Sequence, residues 1–253
     1  EKLIGKNFDY HARMYFLEAI KANEAIDHIK AHVDLGRKVL VMHDFKKGGA
    51  VNPFRISPQA QDEAEAYARF TSEFKDLVDA FSVLSSPIDH LSSEFPDALI
   101  YNGNVPAKNR VKLQDQFNDD ADGSPRIMIA QGDAMREGVS IHDTTGKYQR
   151  VLVHLGMPVK PTAAIQQEGR IYRTGQASDA MFRYFIIGSS WERIAFASKI
   201  ASRAGAAENL ALGEEARGLK DSFITAYENA GDYTPGFEGE GLGGRELDGS
   251  YAH

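Results

Sequence analysis

The sequence predicts an α/β fold, with a parallel β-sheet covered by helices on both faces, and three features support it. Short runs of apolar residues alternate with segments of helical periodicity from residue 38 to residue 204. Runs such as Val39-Leu40-Val41-Met42 lack polar alternation, which is typical of strands buried on both faces. A helix-length segment separates most consecutive runs, as parallel pairing requires.

Local patterns place the elements in order. Apolar residues near helical spacing indicate a first helix that stops before Gly36, and Phe70, Phe74, Leu77, Val78 and Phe81 form one stripe on the second. The predicted elements are helix 8–35, strand 39–42, helix 59–84, strand 98–101, helix 106–118, strand 126–130, a turn or short helix at 132–138, strand 150–154, helix 162–173, strand 182–187 and helix 190–204.

Composition excludes several classes of protein. A chain of 253 residues with 42% hydrophobic and 26% charged residues can bury a full core, and it contains no Cys. A disulfide scaffold, an iron–sulfur cluster, a Cys-based zinc site and a thiol nucleophile are therefore excluded. No apolar run reaches membrane-span length and no leader opens the chain, so we expect a soluble cytoplasmic protein. The start at Glu1 instead of Met suggests a piece of a longer protein.

Several motif matches fail on context. Asp62-Glu63-Ala64-Glu65 has the composition of a Mg²⁺-binding acidic box, but it follows no strand and is interpreted as a solvated helix start. His28 and His32 have the spacing of the H-E-x-x-H zinc motif, but its glutamate is missing and no third ligand is evident. Residues 138–142 differ from the G-x-S-x-G nucleophile elbow at the last residue. No G-x-x-x-x-G-K-[ST] phosphate loop occurs. No metal site is therefore predicted in the chain.

The strongest local signal is the segment from Gln166 to Gln176. On a helix, Gln166, Arg170 and Arg173 would lie at i, i+4 and i+7 and project the same way. Gly169 in a helix costs about 1 kcal/mol and makes sense where a ligand or backbone approaches closely. Two arginines on one rigid element suit a transferring phosphoryl group, although R-x-x-R on a helix is most often a solvated face.

The context of this segment favours a ligand site. The segment follows strand 151–154 and a Pro-bracketed loop, so it lies at the carboxyl edge of the sheet, where α/β folds bind ligands. Strand 127–130 leads into the Gly-containing stretch 131–140, whose backbone amides and Ser140 hydroxyl are suited to phosphate.

The order of these pieces resembles the C-terminal RecA-like lobe of a superfamily 2 helicase or translocase, and is most similar to its strawberry-notch-like, Snf2-related branch. The likeness covers 38–212, interrupted at 46–96. It rests on Val39 to Phe45 as motif IV, Tyr101-Asn102-Gly103 with Arg110 and Phe117-Asn118, Ala134 to Ile141 as motif V, Gln166 to Arg173 as the Q-x-x-G-R-x-x-R of motif VI, Gln176-Ala177-Ser178, and Phe196-Ala197-Ser198 with Arg203.

The resemblance implies that ATP and Mg²⁺ are held mainly by a first lobe outside this chain. Arg170 and Arg173 would be catalytic arginine fingers, and Gln166 would orient the γ-phosphate or the attacking water. Gly138 and Gly169 would let backbone approach the nucleotide, with Glu137 beside them. Alone, the fragment would be inactive.

Nucleic acid, with DNA preferred over RNA, is the partner that the resemblance implies. The candidate contacts are Lys46, Lys47, Asn104, Lys108, Gln131 and Ser140. For each of them, a solvated surface residue is an equally good interpretation. Gly132 stands where many relatives carry Thr or Ser, so that contact would pass to Gln131 or Ser140.

The organisation expected from sequence has three parts: a helical linker from a preceding lobe at 1–37, the lobe at 38–212 with a helical insert at 46–96, and a flexible, acidic, Gly-rich extension at 213–253. The alternative function is a catalytically silent lobe that binds nucleic acid or acts as a scaffold. Some strawberry-notch-like lobes of bacteria and phages accompany DNA methyltransferase domains, so a DNA-modification setting, phage-encoded or bacterial, is one option. A nucleotide-binding enzyme of another α/β family is a third interpretation, weakened by the lack of a Gly-rich strand–helix turn.

The net charge of −7 is confined to the end of the chain. Residues 205–253 hold ten acidic against three basic residues, whereas residues 1–204 hold 26 of each. The motif-bearing stretch 106–176 has ten basic against eight acidic residues. Acidity therefore does not exclude nucleic acid as a partner of the lobe, and removing 213–253 is predicted to raise DNA affinity at low salt while leaving ATPase competence intact.

Overall fold

The computed structural model describes residues 10–45, 57–82, 84–135, 138–156, 161–187 and 245–248. Its elements are α1 (Tyr10–Asp34), β1 (Lys38–His43), α2 (Gln61–Glu73), α3 (Lys75–Ser82), α4 (Pro87–Glu94), β2 (Leu99–Tyr101), α5 (Ala107–Asn118), β3 (Ile127–Gln131), a 3-10 helix (Gly132–Met135), β4 (Arg150–His154), α6 (Pro161–Glu168), β5 (Met181–Ile186) and β6 (Arg245–Asp248).

The strands form one sheet in the order β2-β3-β1-β4-β5-β6. The first five are parallel, and β6 pairs with β5 in the antiparallel direction. In the central register, Leu40 lies between Met128 and Leu152. Because β1 has β3 on one side and β4 on the other, the carboxyl ends of these three strands meet at the middle of one sheet edge.

Helices cover both faces of the sheet, so the predicted fold class is confirmed. On one face, α1 and α4 bury Ile29 and Leu91 against Val39 and Val41 of β1. On the other face, Phe117 of α5 packs with Leu40, Met128 and Leu152. Every residue of β1 and β4 is buried, because each central strand has neighbours on both sides and helices above and below. This burial explains the uninterrupted apolar runs of the sequence.

Helix α1 belongs to the same core as the sheet. The sequence assigned residues 1–37 to a linker from a preceding lobe. The structure buries Ala22, Ala25 and Ile29 of α1 completely, in a cluster with β1 and β4. Small residues on this face let the helix lie close to the strands, so α1 completes one layer of the fold.

The predicted helix 59–84 is two helices in the structure. It breaks at Phe74, whose φ of −113° and ψ of 37° are outside the helical region. Neither α2 nor α3 contains a buried residue, and Phe74 and Leu77 are exposed. The stripe predicted from Phe70 to Phe81 is therefore not a core face. Helix α4 lies within the predicted insert 46–96 as well. Unlike α2 and α3, it buries a side chain, Leu91, in the core.

The acidic sequence Asp62-Glu63 lies in the first turn of α2, as the interpretation as a helix start predicted. The predicted helix 190–204 lies outside the described residues. So does the C-terminal extension 213–253, apart from β6 (Arg245–Asp248), which pairs with β5 although the sequence indicated no strand there. None of the helices in the described segments is both long enough and apolar enough to cross a membrane.

Three charged side chains are buried together at the amino edge of the sheet. The Lys38 ammonium lies 3.0 Å from the Asp120 carboxylate, which is also 3.1 Å from the Arg150 guanidinium. Lys38 Nζ donates further hydrogen bonds to the carbonyl oxygens of Phe117 and Asp119. Burial lowers the pKa of Lys38, and the hydrogen bond to Asp120 opposes this shift. These contacts tie the end of α5 to strands β1 and β4.

Candidate functional site

The turn that follows α6 differs from the sequence prediction. The helix predicted over 162–173 ends at Glu168, and the Arg170 N–H donates to the Gln167 carbonyl at 3.0 Å in a tighter turn. Gln166, Arg170 and Arg173 therefore do not form one helical stripe. Gly169 is the first residue after the helix, so the helix-interior cost assigned to this glycine does not arise. We call Gly169–Gln176 the arginine turn.

Arg170 is buried, with 6% of its surface exposed. Its Nη1 donates to the Val139 carbonyl at 3.2 Å, and its own carbonyl accepts from the Ile141 N–H at 3.0 Å. Its charge also reaches Tyr101, whose pKa is raised by burial and held back by the neighbouring Arg110 and Arg170. Arg170 thus fastens the arginine turn to the segment 138–143.

Arg173 is exposed on the same turn. Its backbone N–H donates to Gln176 Oε1 at 3.1 Å, and its carbonyl accepts from the Gln176 N–H at 3.1 Å. Gly175 closes the turn with φ of 89°, a conformation that favours glycine. Arg173 Nε donates to the Gly169 carbonyl at 3.0 Å. The guanidinium is therefore solvent-accessible on a well-defined backbone.

The other residues predicted to lie beside the nucleotide do not share one surface. Gln166 is exposed on the last turn of α6. Gly138 is exposed with φ of 72°, and a Cβ there would meet no atom within 4 Å, so the space beside its Cα is open. Gly169 is half-buried, and its carbonyl accepts the Arg173 hydrogen bond. Glu137 lies outside the described residues.

The last residue of α6 is anchored to the sheet by a partly buried polar contact that the sequence did not indicate. Tyr184 of β5 donates its hydroxyl proton to Glu168 Oε1, and its ring stacks on His154 of β4 at 4.5 Å. Burial raises the pKa of Glu168 to about 7, against the hydrogen bond from Tyr184. Burial also lowers the pKa of His154 to about 3, so its ring is neutral. Glu168 is a variable position of the motif pattern, which is why no sequence signal marks it.

A pair of carboxyl groups occupies the carboxyl end of β1, and this pair was also missed. Glu18 Oε1 of α1 accepts from the Asp44 N–H at 2.7 Å. Burial, then the charge of Asp44, raises the pKa of Glu18 to about 8, while Lys21 and the backbone donors lower it. A Cβ on Gly156 would lie 2.7 Å from Glu18 Oε1 and 2.9 Å from Asp44 Oδ2. A larger residue where β4 ends would therefore force the Glu18 or Asp44 side chain to move.

The predicted nucleic-acid contacts differ in accessibility. Asn104 follows β2, Lys108 lies in the first turn of α5, and both are exposed. Gln131 is 7% exposed and its amide is engaged at both ends, since Oε1 accepts from the Gly103 N–H and Nε2 donates to the Asp44 carbonyl, each at 3.3 Å. A phosphate could reach this amide only by displacing those bonds. Lys46 and Lys47 lie outside the described residues.

Ser140 is half-buried in the segment after Gly138. Its Oγ and His142 Nδ1 are 2.9 Å apart, and its carbonyl accepts from Gln114 and Asn118 of α5. These bonds hold segment 138–143 against α5 on one side, while Arg170 holds it on the other. Across the segments that the structure describes, no group of three or more His, Cys, Asp or Glu side chains is arranged to hold a metal ion.

The chain has limited sequence similarity to known proteins. No model of a known protein family matches the chain. A stretch of 114 residues is 28% identical to transcription termination factor 2 of Drosophila melanogaster, which covers 45% of this chain and 10% of that protein.

Solved structures with a similar fold include the C-terminal part of the Fun30 ATPase domain, at a TM-score of 0.41 and 14% identity over 76% of this chain and 50% of that one. Mss116p DEAD-box helicase domain 2 bound to an RNA duplex has a TM-score of 0.38 and 18% identity, over 66% of this chain and 50% of that one. S. cerevisiae Dbp5 bound to RNA and ADP BeF3 has a TM-score of 0.37 and 16% identity, over 66% of this chain and 32% of that one. The chain thus spans half or less of each of these structures and a tenth of the curated relative.

Proposed function

We propose that this chain is the second motor lobe of an ATP-dependent DNA helicase or translocase, and that Arg173 is its arginine finger. The observation that carries this proposal is the placement of Arg173. It is an exposed guanidinium on a turn closed by two hydrogen bonds with Gln176, directly after a helix that starts near the carboxyl edge of a parallel sheet. A cation held this way can meet charge that develops on a γ-phosphoryl group presented by a facing lobe.

Arg170 has a different part in this proposal. Because it is buried and donates to the Val139 carbonyl, it holds the arginine turn on segment 138–143 and thereby positions Arg173. Gln166 lies one turn earlier and is exposed to solvent. In this proposal, it orients the γ-phosphate or the attacking water. The predicted pair of fingers is thus assigned as one finger and one positioning residue.

The residues present fit ATP as the substrate. The open space beside Gly138 leaves room for a ligand next to backbone, and Arg173 and Gln166 are accessible. ATP supplies the transferable γ-phosphoryl group, and Mg²⁺ neutralises charge on its oxygens. We assign the phosphate loop and the metal ligands to the first lobe, since the sequence contains no phosphate loop.

DNA is proposed to cross the loops after β1 and β2. Among the candidate contacts, Asn104 and Lys108 are exposed in the described part of the chain, and Lys46 and Lys47 follow β1 in sequence. The excess of basic residues in 106–176 supports a phosphate-bearing partner. The similarity to a transcription termination factor is compatible with a nucleic-acid substrate. The first lobe of the same protein, and a methyltransferase domain in a DNA-modification setting, are the proposed protein partners.

The test is ATP hydrolysis by the full-length protein with and without DNA. Arg173→Ala should lower the DNA-stimulated rate by about 10³-fold or more, the range found for arginine fingers. Arg173→Lys should recover little of this rate, because an ammonium cannot form the two-pronged contact. Arg69→Ala, which removes an exposed arginine on α2, is the matched control.

Two results would count against the proposal in different ways. A rate within a few-fold of wild type in Arg173→Ala would remove the finger assignment. A wild-type protein that binds DNA but hydrolyses no ATP would instead indicate the silent binding or scaffolding lobe.

A further inference from the structure

The arginine turn has two ends, and the proposed function accounts for only one of them. Arg170 fastens the N-terminal end to segment 138–143 through the Val139 carbonyl. The exposed stretch Tyr172–Gly175, which carries Arg173, comes next. The contacts at the C-terminal end of this stretch therefore decide how closely the Arg173 guanidinium is confined.

Asp143 holds the C-terminal end of the turn. Its Oδ2 accepts a hydrogen bond from the Ser178 hydroxyl, and its carbonyl accepts from the Ala177 N–H at 2.8 Å. Ala177 and Ser178 directly follow the arginine turn in sequence. Asp143 thus binds the chain beyond the turn through both its side chain and its backbone.

The Asp143 carboxylate is itself fixed in place. Asp143 is 1% exposed, which is rare for this residue type unless its oxygens have partners. Its Oδ1 accepts from the Thr145 N–H at 3.0 Å and from the Gly146 N–H at 2.9 Å. Thr145 Oγ1 in turn donates at 2.6 Å to Asp120 Oδ2, in the buried charged cluster at the amino edge of the sheet. The carboxylate is therefore a rigid attachment point for the turn.

Gln176 connects this attachment point to Arg173. Its Oε1 accepts from the Arg173 N–H, and its own N–H donates to the Arg173 carbonyl, each at 3.1 Å. Because Gln176 immediately precedes Ala177, a shift at residues 177–178 reaches the Arg173 backbone through one residue. The sequence Gln176-Ala177-Ser178 entered the sequence analysis only through its resemblance to the helicase branch, and these contacts give it a physical role.

We propose that Asp143 and Ser178 are positioning residues for Arg173. They hold the C-terminal end of the arginine turn as Arg170 holds its N-terminal end, so the finger is confined between two attachments to the same segment, 138–143. Such confinement matters because a displacement of about 1 Å can lower a catalysed rate by up to about 10²-fold. The effect on ATP hydrolysis rests on the proposed function, whereas the effect on the backbone of the turn does not.

Ser178→Ala is the variant that tests this attachment. It removes one hydroxyl from a half-buried position and leaves the backbone bond between Ala177 and Asp143 possible. Asp143→Ala would also take the acceptor from the Thr145 and Gly146 N–H groups, so its effect on folding would be larger. Ser178→Thr keeps the hydroxyl and serves as the conservative variant.

Amide hydrogen exchange in the full-length protein, without ATP or DNA, measures the attachment by itself. In Ser178→Ala we expect exchange at Arg173, Gln176 and Ala177 to rise by roughly 2- to 10-fold, the range for the loss of one hydrogen bond. Ser178→Thr should restore the wild-type exchange rates at these three amides.

Ser86→Ala is the matched control. Ser86 also forms a side-chain hydrogen bond, accepting from the Asp89 N–H at the start of α4. Helix α4 packs on the opposite face of the sheet from Ile171 of the arginine turn, so this variant should leave exchange at 173–177 unchanged. Exchange at 173–177 that stays at the wild-type level in Ser178→Ala, or that rises equally in Ser86→Ala, would overturn the proposal.

Steady-state ATP hydrolysis with DNA separates positioning from general destabilisation. Ser178→Ala should lower kcat by roughly 2- to 10-fold and leave the KM for ATP unchanged, because an arginine finger acts on charge that develops in the transition state. In an Arg173→Ala background, the same substitution should cause no further fall, since the group that it positions is absent.

The possible failures are distinguishable. An equal fall of kcat in both backgrounds would mean that Ser178 acts through stability and not through Arg173, and it would overturn the proposal. A wild-type protein without ATPase activity would refute the proposed function, and the exchange measurement would still decide the attachment of the turn to Asp143.

Discussion

The buried carboxyl group of Glu18 should make the stability of this lobe depend on pH. Glu18 Oε1 accepts from the Asp44 N–H, and its side chain lies between α1 and the end of β1. Burial and the adjacent Asp44 charge raise its pKa from 4.5 to about 8. The perturbation that tests this is Glu18→Gln, which keeps the oxygen acceptor and removes the titration.

The raised pKa of Glu18 determines the direction in which stability changes with pH. The folded state binds the Glu18 proton more tightly than the unfolded state, so this contribution to stability is fully present below pH 4.5 and is lost as the pH rises through about 8. Each pKa unit corresponds to about 1.4 kcal/mol, so the whole shift has an upper bound of about 5 kcal/mol. Compared with wild type, Glu18→Gln should therefore gain several kcal/mol in the free energy of unfolding between pH 5 and pH 9.

Urea denaturation across this pH range measures the difference. Glu168, with a pKa of about 7, titrates in both proteins and cancels in the comparison. Glu24→Gln, on the same helix but less buried, is the matched control and should keep the wild-type pH profile. A wild-type profile in Glu18→Gln as well would refute the assignment of the buried proton to Glu18.

Three further predictions concern the charged cluster, the arginine turn and the C-terminal acidity. Asp120→Ala leaves Lys38 and Arg150 buried without their carboxylate and should lower the free energy of unfolding by about 3–5 kcal/mol, whereas the exposed Asp122→Ala should change it little in the same denaturation assay. Gly175→Ala forces alanine into φ of 89° and should destabilise by about 1–2 kcal/mol with faster amide exchange at Gln176; unchanged exchange would contradict the turn geometry. Replacing the eight acidic residues between 205 and 244 by their amides, which keeps β6, should raise DNA affinity at low salt with no change in ATPase rate, and an unchanged affinity would mean that this acidity serves solubility only.

Most elements of the fold could be predicted because their signals are local. The predicted strands at 39–42 and 150–154 are buried strands in the structure, and the unbroken apolar run at 39–42 indicated burial on both faces. The prediction of a core-facing stripe failed where the apolar pattern of a helix did not match its packing. The stripe of Phe70 to Phe81 has helical spacing, yet neither α2 nor α3 contains a buried residue. Phe81 contacts Phe16 on α1, at 4.9 Å between the two ring centroids, and it stays half-buried.

The sequence indicated which segment to propose as the site, but it did not indicate the geometry of that segment. The sequence marked the Gln166–Arg173 segment, but the helix ends at Glu168, which buries Arg170 and leaves Arg173 exposed. Helix propensity could not reveal this end, since it is decided by the Glu168–Tyr184 contact and by the bonds of Arg170 to segment 138–143.

The sequence by itself determined the class of fold and indicated the segment that we propose as the site. Strands buried on both faces are apolar along most of their length, and helices must recur between them for the strands to run parallel, so both requirements are visible along the chain. Only the tertiary structure decided which side chains meet. Gly132, Asp44 and Gln167 are far apart in sequence and become neighbours because β1 lies beside β3 and α6 returns to the same edge. The raised pKa values of Glu18 and Glu168 likewise depend on burial, which no local pattern specifies.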